Sequence, residues 1–325
     1  MNSHLRLPRM FVTAASHRLR TFTFTFVAGA ALVVLSSSTP IALAQNDATK
    51  VDGVPGVVTT TDGWDIHYTY WESPMGKEAP VVILLHGTGQ ARLVWNALPL
   101  AKELAKAQFA VIAVDLRKHG ESKASEGASI QARSSKLTKN DYTGMVDGDL
   151  EAIKKFIYSE HQAQRLNMRK LGLVAVDMST VIALNWTALD WLKKPFDDAP
   201  TLAAKTPRGQ DVQSVVLVSP VDSLSGLGTI DSTRFIRATG ISVLLLSSKK
   251  TSSENRTAAK MYTQLGGTQQ DEENKRIYNI GSDIKLSGTN LLAAQPQLQA
   301  GIQKFLEDHV MKHVAPWQDR ESRLK

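Results

Sequence analysis

The chain has 325 residues, 38 of them Lys or Arg and 31 Asp or Glu, for a formal charge of +7, and it contains no cysteine. Without cysteine there is no disulfide framework, no Cys-ligated zinc, no catalytic thiol and no lipid-modified N-terminal Cys. Nucleic acid is not an expected partner: four of the 38 basic residues and none of the 31 acidic ones fall in the first 44 positions, so removing that stretch leaves +3, and no Lys/Arg-rich run is interleaved with aromatics.

The N-terminus reads as a leader. Arg6, Arg9, Arg18 and Arg20 precede an apolar run from Phe22 to Leu35, and Ala42-Leu43-Ala44 before Gln45 forms a small-x-small cleavage signal. An uncleaved membrane anchor is the competing reading, opposed by the polar break Ser36 to Pro40. The expectation is an exported protein, periplasmic or secreted, with a signal peptide at 1–44, a linker at 45–54, one domain at 55–312 and a polar tail at 313–325. No stable membrane span is expected after cleavage. The remaining ~280 residues suit a single large domain.

Val57 to Thr61 and Ile66 to Trp71 flank Asp62-Gly63 and predict a hairpin. Val81 to Leu85, Phe109 to Val114 and Leu171 to Val176 are unbroken apolar runs, the pattern of strands buried on both faces of a parallel sheet. Val215 to Val218, Val243 to Leu246 and Ile277 to Ile280 add three more strands. Helical spacing covers Leu93 to Ala107, Leu150 to Tyr158, Ser179 to Leu192, Asn255 to Leu265 and Gln297 to Val310. Residues 116–143 read as a polar surface excursion. The charged, Pro-punctuated stretch 193–211 reads as a short cap over the functional edge. The predicted fold class is α/β: a mostly parallel central sheet of about eight strands, with an antiparallel N-terminal hairpin and helices on both faces.

Three strand ends carry the chemistry. Leu84-Leu85-His86-Gly87-Thr88-Gly89 places glycines where backbone N–H groups can approach a developing negative charge. Asp115-Leu116-Arg117-Lys118-His119-Gly120-Glu121-Ser122 is a second turn. Gly172 to Ser179 runs from strand to helix through Ala175-Val176-Asp177-Met178-Ser179. In this order the three segments resemble the α/β-hydrolase superfamily across residues 55 to 312: an oxyanion loop opened by His-Gly, a D-x-R-G-x-G-x-S turn in which Lys118 replaces a Gly, and a nucleophile elbow.

The resemblance implies a catalytic triad, and the chain departs from it. The elbow centre is Asp177 rather than Ser. Family branches similar to dehalogenases and epoxide hydrolases use Asp there, with a His-activated water to cleave the resulting ester. A carboxylate at a helix start is equally a cap without chemistry, and Ser179 is a displaced-serine alternative. The base belongs in the loop before the final helix, where the chain reads Leu286-Ser287-Gly288-Thr289-Asn290. Of the histidines beyond the leader, His67 and His161 read as structural. His86 and His119 sit in turns, and His309 lies on a helix stripe with Leu298, Ile302 and Phe305. The acid place after Leu246 holds Ser247-Ser248-Lys249-Lys250, leaving Asp222 as an alternative acid or a turn residue; Asp283 reads as a loop charge.

The candidate catalytic residues are therefore Asp177 and Asp222, and the oxyanion-loop and cleft set is His86, Gly87, Thr88, Gly89, Met178 and Thr289. His86, Asp177, Asp222, Lys249 and Thr289 are expected along one sheet edge, at the strands' carboxyl ends. No cofactor and no metal are implied. The leading function is a catalytically degenerate relative of esterases that binds a small-molecule ligand or a partner. The alternatives are a hydrolase of unusual chemistry using Asp177 and a structural envelope protein; one fold serves all three. Substrate and oligomeric state are not legible in the sequence.

Overall fold

A computed structural model of the chain describes residues 52–124 and 129–324. The leader at 1–44, its cleavage point and most of the linker lie outside the described residues. Ten strands are present among those described: β1 (Val54–Thr59), β2 (Asp65–Trp71), β3 (Val81–Leu85), β4 (Ala110–Val114), β5 (Leu171–Val176), β6 (Val212–Val218), β7 (Ser223–Leu224), β8 (Leu227–Gly228), β9 (Ser242–Ser248) and β10 (Ile277–Ser282). Eight form one sheet in the order β1-β2-β4-β3-β5-β6-β9-β10. β2 runs antiparallel to β1 and β4, and every other pair is parallel. β7 and β8 make a separate small hairpin.

The all-apolar strands explain the layers. Side chains alternate across a strand, so Val81, Ile83 and Leu85 of β3 enter one core while Val82 and Leu84 enter the other. The first core is closed by helices Leu150–Gln162 and Met178–Leu192, the second by Leu100–Lys106 and Pro296–Leu306. The expected helix from Leu93 to Ala107 is two pieces, Val94–Ala97 and Leu100–Lys106, because Pro99 forces Leu98 out of the helical region to φ −91°, ψ 138°. The excursion at 116–143 is not merely surface: Leu116, Arg117, His119 and Ser122 are buried.

One expectation needs correction. Residues 193–211 do not cap the functional edge. Helix Met178–Leu192 starts at the carboxyl end of β5 and runs about 22 Å, delivering the chain to the opposite edge, where Asp211 O accepts from Leu171 N at the amino end of β5 (3.3 Å). The segment near the cleft is instead the loop after β6, with the β7–β8 hairpin and helix Ile230–Arg237. The polar tail at 313–325 packs on the domain: Trp317 stacks on His161 with ring centroids 5.1 Å apart, its Nε1 donates to His161 O, and Arg320, only 3% exposed, pairs with buried Asp211. No helix among the described residues is long and apolar enough to cross a membrane.

Candidate active site

One residue separates β5 from the helix that begins at Met178, and it is Asp177. The turn is so sharp that Asp177 adopts φ 52°, ψ −119°, a conformation costing a non-glycine residue about 1–3 kcal/mol. Backbone bonds impose it: Asp177 N donates to Val218 O at 2.9 Å, and Asp177 O accepts from Thr180 N at 3.0 Å and Thr180 Oγ1 at 2.6 Å. This is not the β-region geometry of an ordinary helix cap, and the Asp177 side chain caps no N–H of its own helix. It reaches across instead, where its Oδ2 accepts from Thr88 N at 3.2 Å. The amide in the place of an oxyanion donor is thus engaged by the chain's own carboxylate.

The oxyanion loop is tightly built. Gly87 N donates to Gln90 Oε1 at 3.1 Å, and Gln90 Nε2 donates to Thr289 Oγ1 at 2.6 Å, tying this loop to the one after β10. A Cβ on Gly87 would stand 2.9 Å from Gln90 Oε1 and would displace that side chain from its bond to Gly87 N. Gly89, at φ 68°, turns the chain but does not line the cleft. His86 is buried beneath it, with Nδ1 donating to Gly87 O at 2.9 Å and Nε2 accepting from Leu116 N at 3.2 Å. Burial pushes its pKa down to about 4, and neighbouring His119 adds to the drop. With both ring nitrogens committed to backbone, His86 has none to offer as base. Met178 sends its side chain into the core rather than the cleft, and Ser179 Oγ donates to His86 O, away from the cleft.

The cleft between these loops is a cavity of about 570 Å³ at the carboxyl ends of the strands. Asp177, Asp222 and Thr289 line it together with Gly87 and Thr88. Lys249 follows β9 at the same edge and lies 3.8 Å from Asp283. Asp222 is half-exposed and paired with Lys260 at 3.0 Å. A further carboxylate in the cleft, absent from the sequence expectations, is Glu254. Glu254, 8% exposed, accepts from Ser248 N at 2.9 Å through Oε1 and from Ser287 Oγ at 2.5 Å through Oε2. Ser287 lies in the loop expected to carry the base, and it too lines the cavity. Gly288 N donates to Ser219 Oγ at 2.6 Å and fixes that loop over the elbow. Glu254 thus ties the start of helix Ser252–Gln264 to the loop after β10.

None of the six described histidines lines this cavity. His67 lies 3.6 Å from Glu121, His119 Nδ1 meets Arg117 O at 3.0 Å, and His161 Nε2 meets Gln318 O at 2.8 Å. His309 Nδ1 meets Ser242 Oγ at 3.0 Å, at the amino end of β9. His313 is surface-exposed, and partial desolvation with Arg169 and Lys170 nearby lowers its pKa. Among the described residues no grouping of three or more His, Cys, Asp or Glu could hold a metal ion.

The second turn supports the site. Asp115 accepts Arg92 N at 2.6 Å and Glu121 N at 3.0 Å and is ion-paired with Arg92. Arg117 donates to both oxygens of Asp149, each at 2.8 Å, and pairs with Asp62. Lys118 sits at φ 66°, which explains the glycine usual at that place in the motif, and its Nζ pairs with Asp141 at 2.9 Å.

The sheet order, the elbow and the oxyanion loop define an α/β-hydrolase architecture. The family model for the α/β-hydrolase fold matches residues 80–290, and the chain belongs to that family. An esterase from Pyrococcus furiosus superposes with a TM-score of 0.56 at 15% identity, over 80% of this chain and 92% of its own. A dienelactone hydrolase from Anabaena variabilis gives 0.56 at 15% identity, over 79% and 98%. Protein phosphatase methylesterase 1 of Rattus norvegicus and of Homo sapiens are each 35% identical over 75 residues, 23% of this chain. That match spans only 19% of the methylesterases' length.

Proposed function

We propose that this protein is an exported, catalytically degenerate member of the family that binds a small polar molecule in the carboxyl-edge cleft. The observation that carries the reading is Ser287, bonded to Glu254 in the loop where the family's base belongs. Acyl transfer needs a nucleophile, a group to take its proton and donors for the oxyanion. Here the elbow residue is a carboxylate, the base position holds a hydroxyl, and the Thr88 amide is engaged by Asp177. The lining favours a polar ligand: Thr88, Gln90, Ser219, Ser223, Thr251 and Asn290 offer hydroxyl and amide groups, and no aromatic ring is among the lining residues. A ligand of this kind would be held by hydrogen bonds with little stacking.

The names of the relatives, methylesterase, esterase and dienelactone hydrolase, make ester hydrolysis the activity to test first. The chain lacking residues 1–44 is assayed with p-nitrophenyl acetate beside Asp177→Ala. The expected rate equals that of the variant. A rate at least tenfold above the variant establishes a working esterase. Export is tested by mass spectrometry of the N-terminus from an exported fraction, where Gln45 is the expected first residue; an intact leader in membranes supports the anchor.

A second reading has its own support. The strained backbone of Asp177, with one carboxylate oxygen on the Thr88 amide, is what a carboxylate nucleophile attacking carbon would require. The ester so formed would have no imidazole in the cleft to activate water against it.

A further inference from the structure

The edge opposite the cleft carries a second concavity. A cavity of about 380 Å³ lies where helix Met178–Leu192 hands over to residues 193–211 and the C-terminal segment folds back. Lys154, Lys155, Lys193, Arg208 and Arg320 supply its charge; Tyr158, Met168, Phe196 and Pro207 supply its apolar walls. An adjoining hollow of about 280 Å³ shares Lys193, Pro207 and Arg208 with it and adds Arg169 and Lys205. The acids among the lining residues of the two are Glu151, bonded to Lys193 at 2.6 Å, and Glu321.

Three of these cations are paired, which leaves Lys155 and Arg208 as the exposed charges. Lys154 pairs with buried Asp190 and lies 2.8 Å from Asp211, which also pairs with Arg320. Arg320 is 3% exposed and is held by its ion pair with Asp211. The cations also oppose one another: burial first, then Lys154, lowers the pKa of Lys193, and burial first, then Arg169, brings that of Arg320 down to about 10. Arg208 lies over the Phe196 ring at 5.0 Å, and both it and Lys155 are exposed lining residues.

We infer that this amino-edge cavity is a binding site for an organic anion with an apolar body, its anionic oxygens taken by Arg208 and Lys155 and its body seated against Phe196, Tyr158 and Met168. The volume lies within the range of small-molecule sites, and the planar guanidinium fork matches a carboxylate or phosphate in two-point contact. The site shares no lining residue with the cleft, so it stands or falls apart from the degenerate-hydrolase reading.

The test is isothermal titration of the chain lacking residues 1–44 with octanoate, octyl phosphate, octanol and inorganic phosphate. Octanoate or octyl phosphate is expected to saturate one site, at least tenfold tighter than octanol or inorganic phosphate. The double variant Lys155→Glu/Arg208→Glu, both exposed and outside the buried ion cluster, is expected to weaken binding tenfold or more, while Asp177→Asn leaves it unchanged. Octanol binding as tightly as octanoate, an unaffected double variant, or no saturable binding of either anion would overturn the site. Loss of binding in Asp177→Asn alone would move the ligand to the cleft and equally overturn it.

Discussion

Rebuilding the missing half of the triad is the sharpest use of the cleft geometry. Asp177→Ser puts a hydroxyl on a turn already at φ 52°, ψ −119° and releases the Thr88 amide from the carboxylate that now engages it. Alone it should do little, because Ser287 is no base. Ser287→His places an imidazole where the present hydroxyl lies 2.5 Å from Glu254, so the acid needed to orient the ring is in position. A positioned general base contributes roughly 10²–10⁴-fold, and a freed oxyanion donor roughly 10²–10³-fold. These effects do not add, so we expect the Asp177→Ser/Ser287→His protein to exceed either single variant by about 10²-fold in kcat/KM for p-nitrophenyl acetate. Adding Glu254→Gln to the double variant should remove about tenfold or more of that gain. Thermal melts are run beside the assay to show that each variant is folded. A folded double variant no faster than Asp177→Ser would show that Ser287 does not stand at the base position, and the degenerate-triad reasoning would be refuted.

Two further outcomes follow from packing and charge. His86 keeps a pKa of about 4 in the fold against 6.5 when unfolded; protons therefore bind the unfolded chain first, so stability is full above about pH 6.5 and falls as the pH drops toward 4, by roughly 3 kcal/mol for this residue. Urea unfolding across that range should show the slope, with a smaller slope in His86→Gln; an unchanged slope removes His86 as its source. Ending the chain at His313 deletes Trp317 and Arg320 and leaves the Lys154–Asp190–Asp211 cluster one cation short. Breaking such a buried pair costs about 3–5 kcal/mol, and a loss under 1 kcal/mol in urea unfolding would mean that the tail is not anchored by that contact.

The centre of the sheet was legible because β3 and β4 are wholly, and β5 largely, Val, Ile, Leu and Ala, and runs this short between turn signals suit strands buried on both faces. Boundaries slipped where local chemistry overrode the period: Pro99 breaks the helix that the leucines after Leu93 promise. The direction of a loop was harder to read than its existence. Residues 193–211 have the polar composition of a cap, yet the helix before them carries the chain to the wrong edge for one. In the site, Asp177 could be read because the flanking Ala175 and Ser179 mark an elbow. Glu254 could not, since a Glu in the first turn of a helix is what helix electrostatics alone would place there. Only the tertiary bond to Ser287, 33 residues further on, singles it out. Arg320 was hidden for the same reason: a basic residue in a polar terminal stretch signals solvent, and its burial depends on Asp211, 109 positions earlier.

The central claim is that Asp177 has no partner able to complete a catalytic cycle. The direct measurement is intact mass and product release with a short haloalkane and an epoxide, run on the chain lacking residues 1–44 and on Asp177→Asn. The account predicts no turnover, and at most one covalent addition per chain, stable over the assay and absent from Asp177→Asn. Repeated turnover that Asp177→Asn abolishes would contradict it and make this protein a hydrolase with a carboxylate nucleophile.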